Sequence, residues 1–180
     1  GGISVFDFTD SANPIEIAFF DRGPLNGENA TMGGYWSSYW YNGYIYGTAI
    51  QRGVDVLELT PSRHLSQNEI DAATQVELGE FNPQNQNLFE WSPTPAVALS
   101  YVDQLARRNA IRPAHATSVR DVLKRLEAED PTQPGNYAEM LDELETLATE
   151  LENDAELLPY GASRLRSLAN TLTEITGEQP

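Results

Sequence analysis

The sequence predicts an α+β protein in which a β-rich N-terminal third is followed by a helical bundle. The first 60 residues contain runs that alternate apolar and polar side chains at period two, which is typical of half-buried strands. From residue 93 onward, apolar residues recur at helical spacing. We therefore expect a β segment at 1–62, a short helix and polar linker at 63–92, and a bundle of about four helices at 93–180.

Five antiparallel strands are expected in the β segment. The dipeptide Asn42-Gly43 predicts a tight hairpin between the third and fourth strands, because both residues accept positive φ angles. Asp10 to Pro14 predicts the turn between the first two strands. The predicted strands are 3–8, 15–20, 36–41, 44–49 and 54–59.

An internal repeat relates the first and last of these strands. Gly2–Asp10 aligns with Gly53–Pro61 at a spacing of 51 residues. Periods of about 40–50 residues with several strands each indicate β-propeller blades. Because a blade has about four strands, we expect a partial β-propeller: the outer pair of one blade, then the inner three strands of a terminal blade. The chain opens within a strand pattern, so we also expect a fragment or a processed chain.

The helical part has conventional start signals. Ser66 and Glu69 form a predicted capping box, and Thr94-Pro95 is an N-cap followed by proline at the first helical position. Pro131 and Pro134 are expected to separate the second and third helices of the bundle. Each helix has one apolar stripe and a charged back, which favours packing of the four helices against one another.

The repeated motif resembles the LVIVD repeat, a bacterial and archaeal β-propeller motif. Gly2–Asp7 with Asn13-Pro14 fits that pattern, whereas in the copy at 53–59 Glu58 replaces the aspartate and no Asn-Pro follows. The resemblance covers about residues 1–62, and the tract at 34–47 looks like the terminal blade of such proteins. It implies a propeller architecture and an exported, periplasmic or cell-surface location, and it supplies no catalytic site.

The shortage of strands leads to the predicted function. Five strands would leave unpaired edges and an exposed aromatic face. We expect a non-catalytic fragment that completes a propeller with another chain or a missing segment and acts in protein interaction or assembly, as a complex subunit. Two alternatives stay open: a carbohydrate-binding module using the aromatics of 35–46, and part of a propeller hydrolase or lyase whose site lies mostly outside this chain.

An aromatic tract supplies the candidate binding residues. Seven of the eleven Tyr and Trp residues lie between Tyr35 and Tyr46, where rings combine apolar area with a polar tip suited to a sugar or a protein partner. Aromatic residues are also common in strands for packing alone. The candidates are Trp36, Tyr39, Trp40, Tyr44 and Tyr46.

Catalytic and metal motifs are sparse. The sequence has no phosphate-binding loop and no hydrolase or zinc motif, and His64 and His115 have no Ser or Asp neighbour at triad spacing. Asp21 and Glu28 are the candidate metal ligands, for Ca²⁺, although their loop lacks EF-hand spacing. No other cofactor is expected.

Charge narrows the range of partners. The net charge of −16 disfavours nucleic acid and anionic lipid, because both would be repelled. It is spread along the chain, with −9 in residues 1–90 and −7 in residues 91–180. The absence of cysteine excludes disulfides and thiolate sites. No apolar run approaches the roughly 18–20 residues of a membrane span.

Overall fold

The chain forms two compact units that divide between Glu90 and Trp91. The first unit contains two small antiparallel sheets and a short helix, and the second contains helices. The predicted α+β class is therefore confirmed, while the described strands form sheets of two and three strands and not a closed ring. The structure is a computed structural model, and it describes residues 1–29, 31–85, 88–129, 136–158 and 160–177.

The five predicted strands are present in the first unit, in two separate sheets. One sheet pairs the first two strands, and the other has the order β3-β4-β5, antiparallel throughout. Asp10 forms the predicted turn before Pro14, since its Oδ1 accepts the N–H of Ala12 at 3.0 Å. The strands are β1 (Ile3–Asp7), β2 (Ile15–Phe20), β3 (Tyr35–Tyr41), β4 (Tyr44–Ala49) and β5 (Gly53–Glu58).

The predicted hairpin at Asn42-Gly43 is confirmed. Asn42 has φ 45° and Gly43 has φ 85°, the left-handed conformations that a type I′ turn requires at both central positions. The turn matches the twist of the flanking strands, so β3 and β4 pair from Tyr41 opposite Tyr44 back to Tyr35 opposite Ala49.

The two sheets pack face to face through small and β-branched residues. Ile3 of β1 and Ile45 of β4 are buried between them. Gly47 lies at the closest approach, because a Cβ at this position would be 2.7 Å from Cδ1 of Ile3 and from the ring of Tyr35. A narrow cavity of about 70 Å³, lined among others by Val5 and Leu57, remains between the sheets.

The short helix α1 (Gln67–Thr74) begins at the predicted capping box. Ser66 Oγ accepts the N–H of Glu69 at 3.2 Å, and Glu69 Oε2 accepts the N–H of Ser66 at 2.6 Å. The polar linker expected within 63–92 contains a 3₁₀ turn at Pro83–Asn85. Residues 86–87 lie outside the described part of the chain.

The second unit contains the four predicted helices in its described part. Thr94 caps the first of them, its Oγ1 accepting the N–H of Val97 at 3.3 Å. Pro131 and Pro134, expected to separate two helices, lie outside the described residues. The helices are α2 (Pro95–Arg107), α3 (Pro113–Ala128), α4 (Tyr137–Leu157) and α5 (Ala162–Gly177). Their fully buried side chains include Leu105, Leu123, Met140, Leu144, Leu151, Leu165, Leu168 and Leu172.

Candidate functional site

Most of the predicted aromatic candidates share one face of the three-stranded sheet. Tyr39 pairs with Tyr46, and Tyr46 pairs with Val56, so these three side chains lie in one row across the strands. Tyr44 and Val54 lie on the same face, because strand residues two apart point to the same side. We call these five residues the tyrosine face. Tyr39, Tyr44, Val54 and Val56 are exposed on it, and Tyr46 is half-buried.

Trp36 and Trp40 are placed differently from the tyrosines. The register of β3 shifts between Tyr35 and Ser37, so Trp36 sits on a β-bulge without a paired residue and is 74% exposed. Trp40 pairs with Ile45 on the side that faces the two-stranded sheet, and its ring lies 5.6 Å from the ring of Phe89. The structure therefore divides the predicted set into three tyrosines on one face, one projecting indole and one packed indole.

The two-stranded sheet also carries apolar side chains on its outer side. Phe6 alternates with the inward-facing Ile3 and Val5 along β1, and Phe8 stands 6.0 Å from Phe6, measured between ring centroids. Phe19 of β2 lies on the same side and is 74% exposed. We call Phe6, Phe8 and Phe19 the phenylalanine face. Each outer face of the stacked sheets therefore exposes large apolar side chains, together with the polar Ser4 and Glu16 on one face and Thr48 and Glu58 on the other.

The predicted metal ligands lie in the loop after β2 and have local roles. Asp21 Oδ1 accepts the N–H of Gly23 at 3.2 Å, and the N–H of Glu28 donates to Asn26 Oδ1 at 2.8 Å. Within the part of the chain that the structure describes, no three His, Cys, Asp or Glu side chains come close enough to hold a metal ion. The Ca²⁺ site stays a prediction.

A charged cluster that the sequence did not single out joins three segments of the first unit. Tyr35 Oη donates to Asp55 Oδ2 at 2.5 Å, and Arg22 Nη2 donates to Asp55 Oδ1. The guanidinium carbon of Arg22 also lies 5.3 Å from the centroid of the Phe20 ring, a cation–π distance. Each carboxylate oxygen of Asp55 thus accepts a hydrogen bond, and each partner of Asp55 is held in position.

The electrostatics of the cluster follow from these contacts. The hydrogen bonds from Tyr35 and then from Arg22 lower the pKa of Asp55 below its ordinary value. Partial burial, followed by the hydrogen bond to Asp55, raises the pKa of the Tyr35 hydroxyl. Asp55 is therefore anionic and Tyr35 neutral around pH 7, which is the state in which their hydrogen bond is strongest.

Removing the hydroxyl of Tyr35 is expected to shift the titration of Asp55. In the wild type, the ¹³C carboxyl resonance of Asp55 should titrate below the ordinary pKa of an aspartate, and Tyr35→Phe should move that pKa upward. Because the folded-state pKa is lowered, the contribution of this group to stability is present above its unfolded pKa and is lost as pH falls through the folded pKa. Tyr44→Phe, on the tyrosine face, is the matched control and should leave the midpoint unchanged.

A cavity of about 330 Å³ lies beside this cluster. Arg52 Nη2 donates to the carbonyl of Pro24 at 3.3 Å, and Gln51 Nε2 donates to the carbonyl of Met32 at 2.9 Å, so the β4–β5 turn holds the long loop that forms one wall. The lining includes Arg22, Leu25, Gly33, Tyr35, Gln51 and Arg52. Basic residues are rare in the first unit, since residues 1–90 contain only three of them, and two of the three line this cavity. This is the feature of the sequence that indicates the site.

The two histidines have structural neighbours. His115 Nδ1 lies 2.9 Å from Asp154 Oδ2 without hydrogen-bond alignment, and Arg112 Nη2 contacts Asp154 Oδ1 at 2.9 Å. The guanidinium of Arg112, just before α3, therefore balances the charge of a buried carboxylate of α4. His64 Nε2 accepts a hydrogen bond from Nε of the neighbouring Arg63 at 2.8 Å. Neither histidine was expected to act as a catalytic base.

Comparison with known proteins identifies no relative of this chain. No protein-family model, no curated protein and no solved structure matches the chain. Among the helices that the structure describes, none combines the length and the apolar character needed to cross a membrane.

Proposed function

We propose that the first unit is a piece of an LVIVD-type β-propeller and that the protein acts in assembly, completing a ring with another chain or a further segment. The observation that carries this proposal is the exposure of large apolar side chains on both outer faces of the two stacked sheets.

The outer faces support the interpretation as a propeller piece over that as a self-contained sandwich. In a sandwich of two sheets, the side chains that point outward are polar and those that point inward form the core. In a propeller, each blade packs against two neighbours, so its sheet is apolar on both sides. Phe19 on the phenylalanine face is 74% exposed and Val54 on the tyrosine face is 65% exposed. Covering both faces by neighbouring blades would remove this apolar surface from water.

The free edge of β5 indicates where a partner strand would add. The repeat aligns β1 with β5, and β1 pairs with β2 along one edge. β5 pairs with β4 and ends the three-stranded sheet, so no strand of the described residues occupies the position beside β5 that is equivalent to β2. A strand supplied from elsewhere would pair there by main-chain hydrogen bonds, as in other cases of strand addition.

The proposal includes an exported, periplasmic or cell-surface location and a non-catalytic role as a complex subunit, both implied by the LVIVD resemblance. The hydrolase or lyase alternative needs site residues outside this chain. The carbohydrate alternative is favoured by one observation, the projection of Trp36 from its bulge. A glycan array separates it from assembly, because Trp36→Ala would abolish sugar binding and leave assembly intact.

Native mass spectrometry and sedimentation of the chain test the assembly proposal. We expect self-associated species well above 19.9 kDa, formed by outer faces that lack their neighbours. The double variant Phe19→Ser, Val54→Thr should shift the distribution toward the monomer. The control is Leu88→Ser, which removes a 95% exposed side chain that belongs to neither outer face and should change nothing. A fully folded wild-type monomer at high concentration would contradict the proposal.

A further inference from the structure

We propose that the cavity between the long loop and the β4–β5 turn binds a small organic anion, a carboxylate with an apolar body, through Arg22 and Arg52. This binding function is separate from the assembly proposed above and does not depend on it. The juxtaposition of two guanidinium groups and an apolar wall in one cavity carries the inference.

The distribution of charge singles out this cavity. Residues 1–90 carry 12 acidic and 3 basic side chains, and two of the three basic ones, Arg22 and Arg52, line the cavity. Asp21 is the acidic residue of the lining. With Asp55, which pairs with Arg22 beside the cavity, the site holds two guanidinium groups and two carboxylates, so it is less acidic than the rest of a unit whose net charge is −9.

The guanidinium groups keep donors for a ligand. A guanidinium has five N–H donors in a planar fork, of which the Nη2 group of Arg22 is engaged by Asp55. The described hydrogen bond of Arg52 ends on the neutral carbonyl of Pro24, and its positive charge also helps to lower the pKa of Asp55. A carboxylate is the partner that matches such a fork in geometry and in charge.

The site is organised before any ligand binds. Asp55 and the ring of Phe20 fix Arg22 on two sides. Gly34 has φ 96°, which lets the loop turn into β3, and its carbonyl accepts the N–H of Ile50 at 2.9 Å. Because these groups are already held in position, binding costs little conformational entropy.

The remaining lining selects an anion with an apolar body. Leu25, Ala49 and the ring of Tyr35 supply the apolar part of the lining. The volume of about 330 Å³ lies at the lower end of the range that small-molecule sites occupy. A divalent cation at Asp21 would be repelled by both guanidinium groups, so this cavity favours anions over the Ca²⁺ expected from the sequence.

Ligand-observed saturation-transfer NMR with sodium benzoate tests the inference, with benzamide as the neutral probe of the same shape. This measurement works for a monomer and for an assembly, so its outcome is distinct from that of the assembly experiment. We expect saturable benzoate binding that weakens as salt is added, and much weaker binding of benzamide. Arg52→Gln should weaken benzoate binding about tenfold, because one charge-assisted partner is lost.

Two further variants keep the test decisive. Arg63→Gln removes the third basic residue of the unit, which contacts His64 and not the cavity, and it should bind benzoate like the wild type. Leu25→Glu places a negative charge in the lining without altering either arginine, and it should abolish binding. Equal binding of benzamide and benzoate would overturn the inference, and so would an equal loss in Arg63→Gln and Arg52→Gln.

Discussion

Leu144→Ala is expected to lower the free energy of unfolding of the second unit by about 2–5 kcal/mol. Leu144 lies on α4, which packs against both α3 and α5, and its side chain has no exposed surface. Truncation removes buried methyl groups and leaves a cavity that close-packed neighbours fill only in part. Since domains are stable by only about 5–15 kcal/mol, this is a large share of the total.

The matched control is Leu157→Ala on the same helix, where the side chain is 68% exposed. We expect a change within about 0.5 kcal/mol there, because little apolar surface is removed from contact. Urea denaturation followed by helical circular dichroism measures both variants, and hydrogen exchange of the α4 amides assigns the change to the bundle. Similar losses in the two variants would show that the interior position of Leu144 is not what stabilises the bundle.

The bundle was predictable because its determinants are local. The spacing of Met140, Leu141, Leu144, Leu147 and Leu151 indicates one buried helical stripe, and all five side chains are buried. The hairpin at Asn42-Gly43 and the capping box at Ser66 were predictable for the same reason, since each motif is complete within four residues.

The cluster around Asp55 was not predictable from the sequence, because its members meet through long-range pairing. Arg22 and Asp55 are 33 positions apart, and Tyr35 and Asp55 are 20 positions apart. Strict alternation along β3 would place Tyr35 on the same side as Tyr39. The bulge at Trp36 turns Tyr35 to the opposite side, opposite Ala49 and against Gly47. No local pattern in the sequence marks this bulge.

The outer faces were partly predictable. Alternation identifies Tyr39 and Tyr44 as neighbours on one side of the hairpin, and the structure has them exposed. Phe6 and Phe19 form a second apolar face only because the opposite side of the β1–β2 sheet packs against the other sheet. This packing brings together residues far apart in sequence, such as Ile3 and Gly47. The face that stays uncovered therefore follows from tertiary packing, which a strand pattern does not determine.

Gly47→Val is expected to lower the stability of the first unit by about 1–3 kcal/mol, because it overpacks the contact between the two sheets. The first atom of any added side chain would lie 2.7 Å from Cδ1 of Ile3 and from the ring of Tyr35. The tip of Ile3 can rotate away, but the Tyr35 ring is rigid and is tethered to Asp55 through its hydroxyl. The strain therefore falls on the hydrogen bond between Tyr35 and Asp55.

Two measurements separate this effect from a general loss of sheet stability. Thr48→Ser is the control, since it changes the next residue of β4 on the side away from the contact between the sheets and keeps the hydroxyl that lies 2.9 Å from Ser37 Oγ. Hydrogen exchange of the β1–β5 amides should show faster opening in Gly47→Val and little change in Thr48→Ser. The carboxyl titration of Asp55 should move toward its ordinary pKa in Gly47→Val alone, because the Tyr35 hydroxyl is the largest cause of the lowered pKa. If opening were faster but the titration of Asp55 were unchanged, the sheets would separate without disturbing the cluster. In that case Asp55, and not the close packing at Gly47, would hold Tyr35 in position.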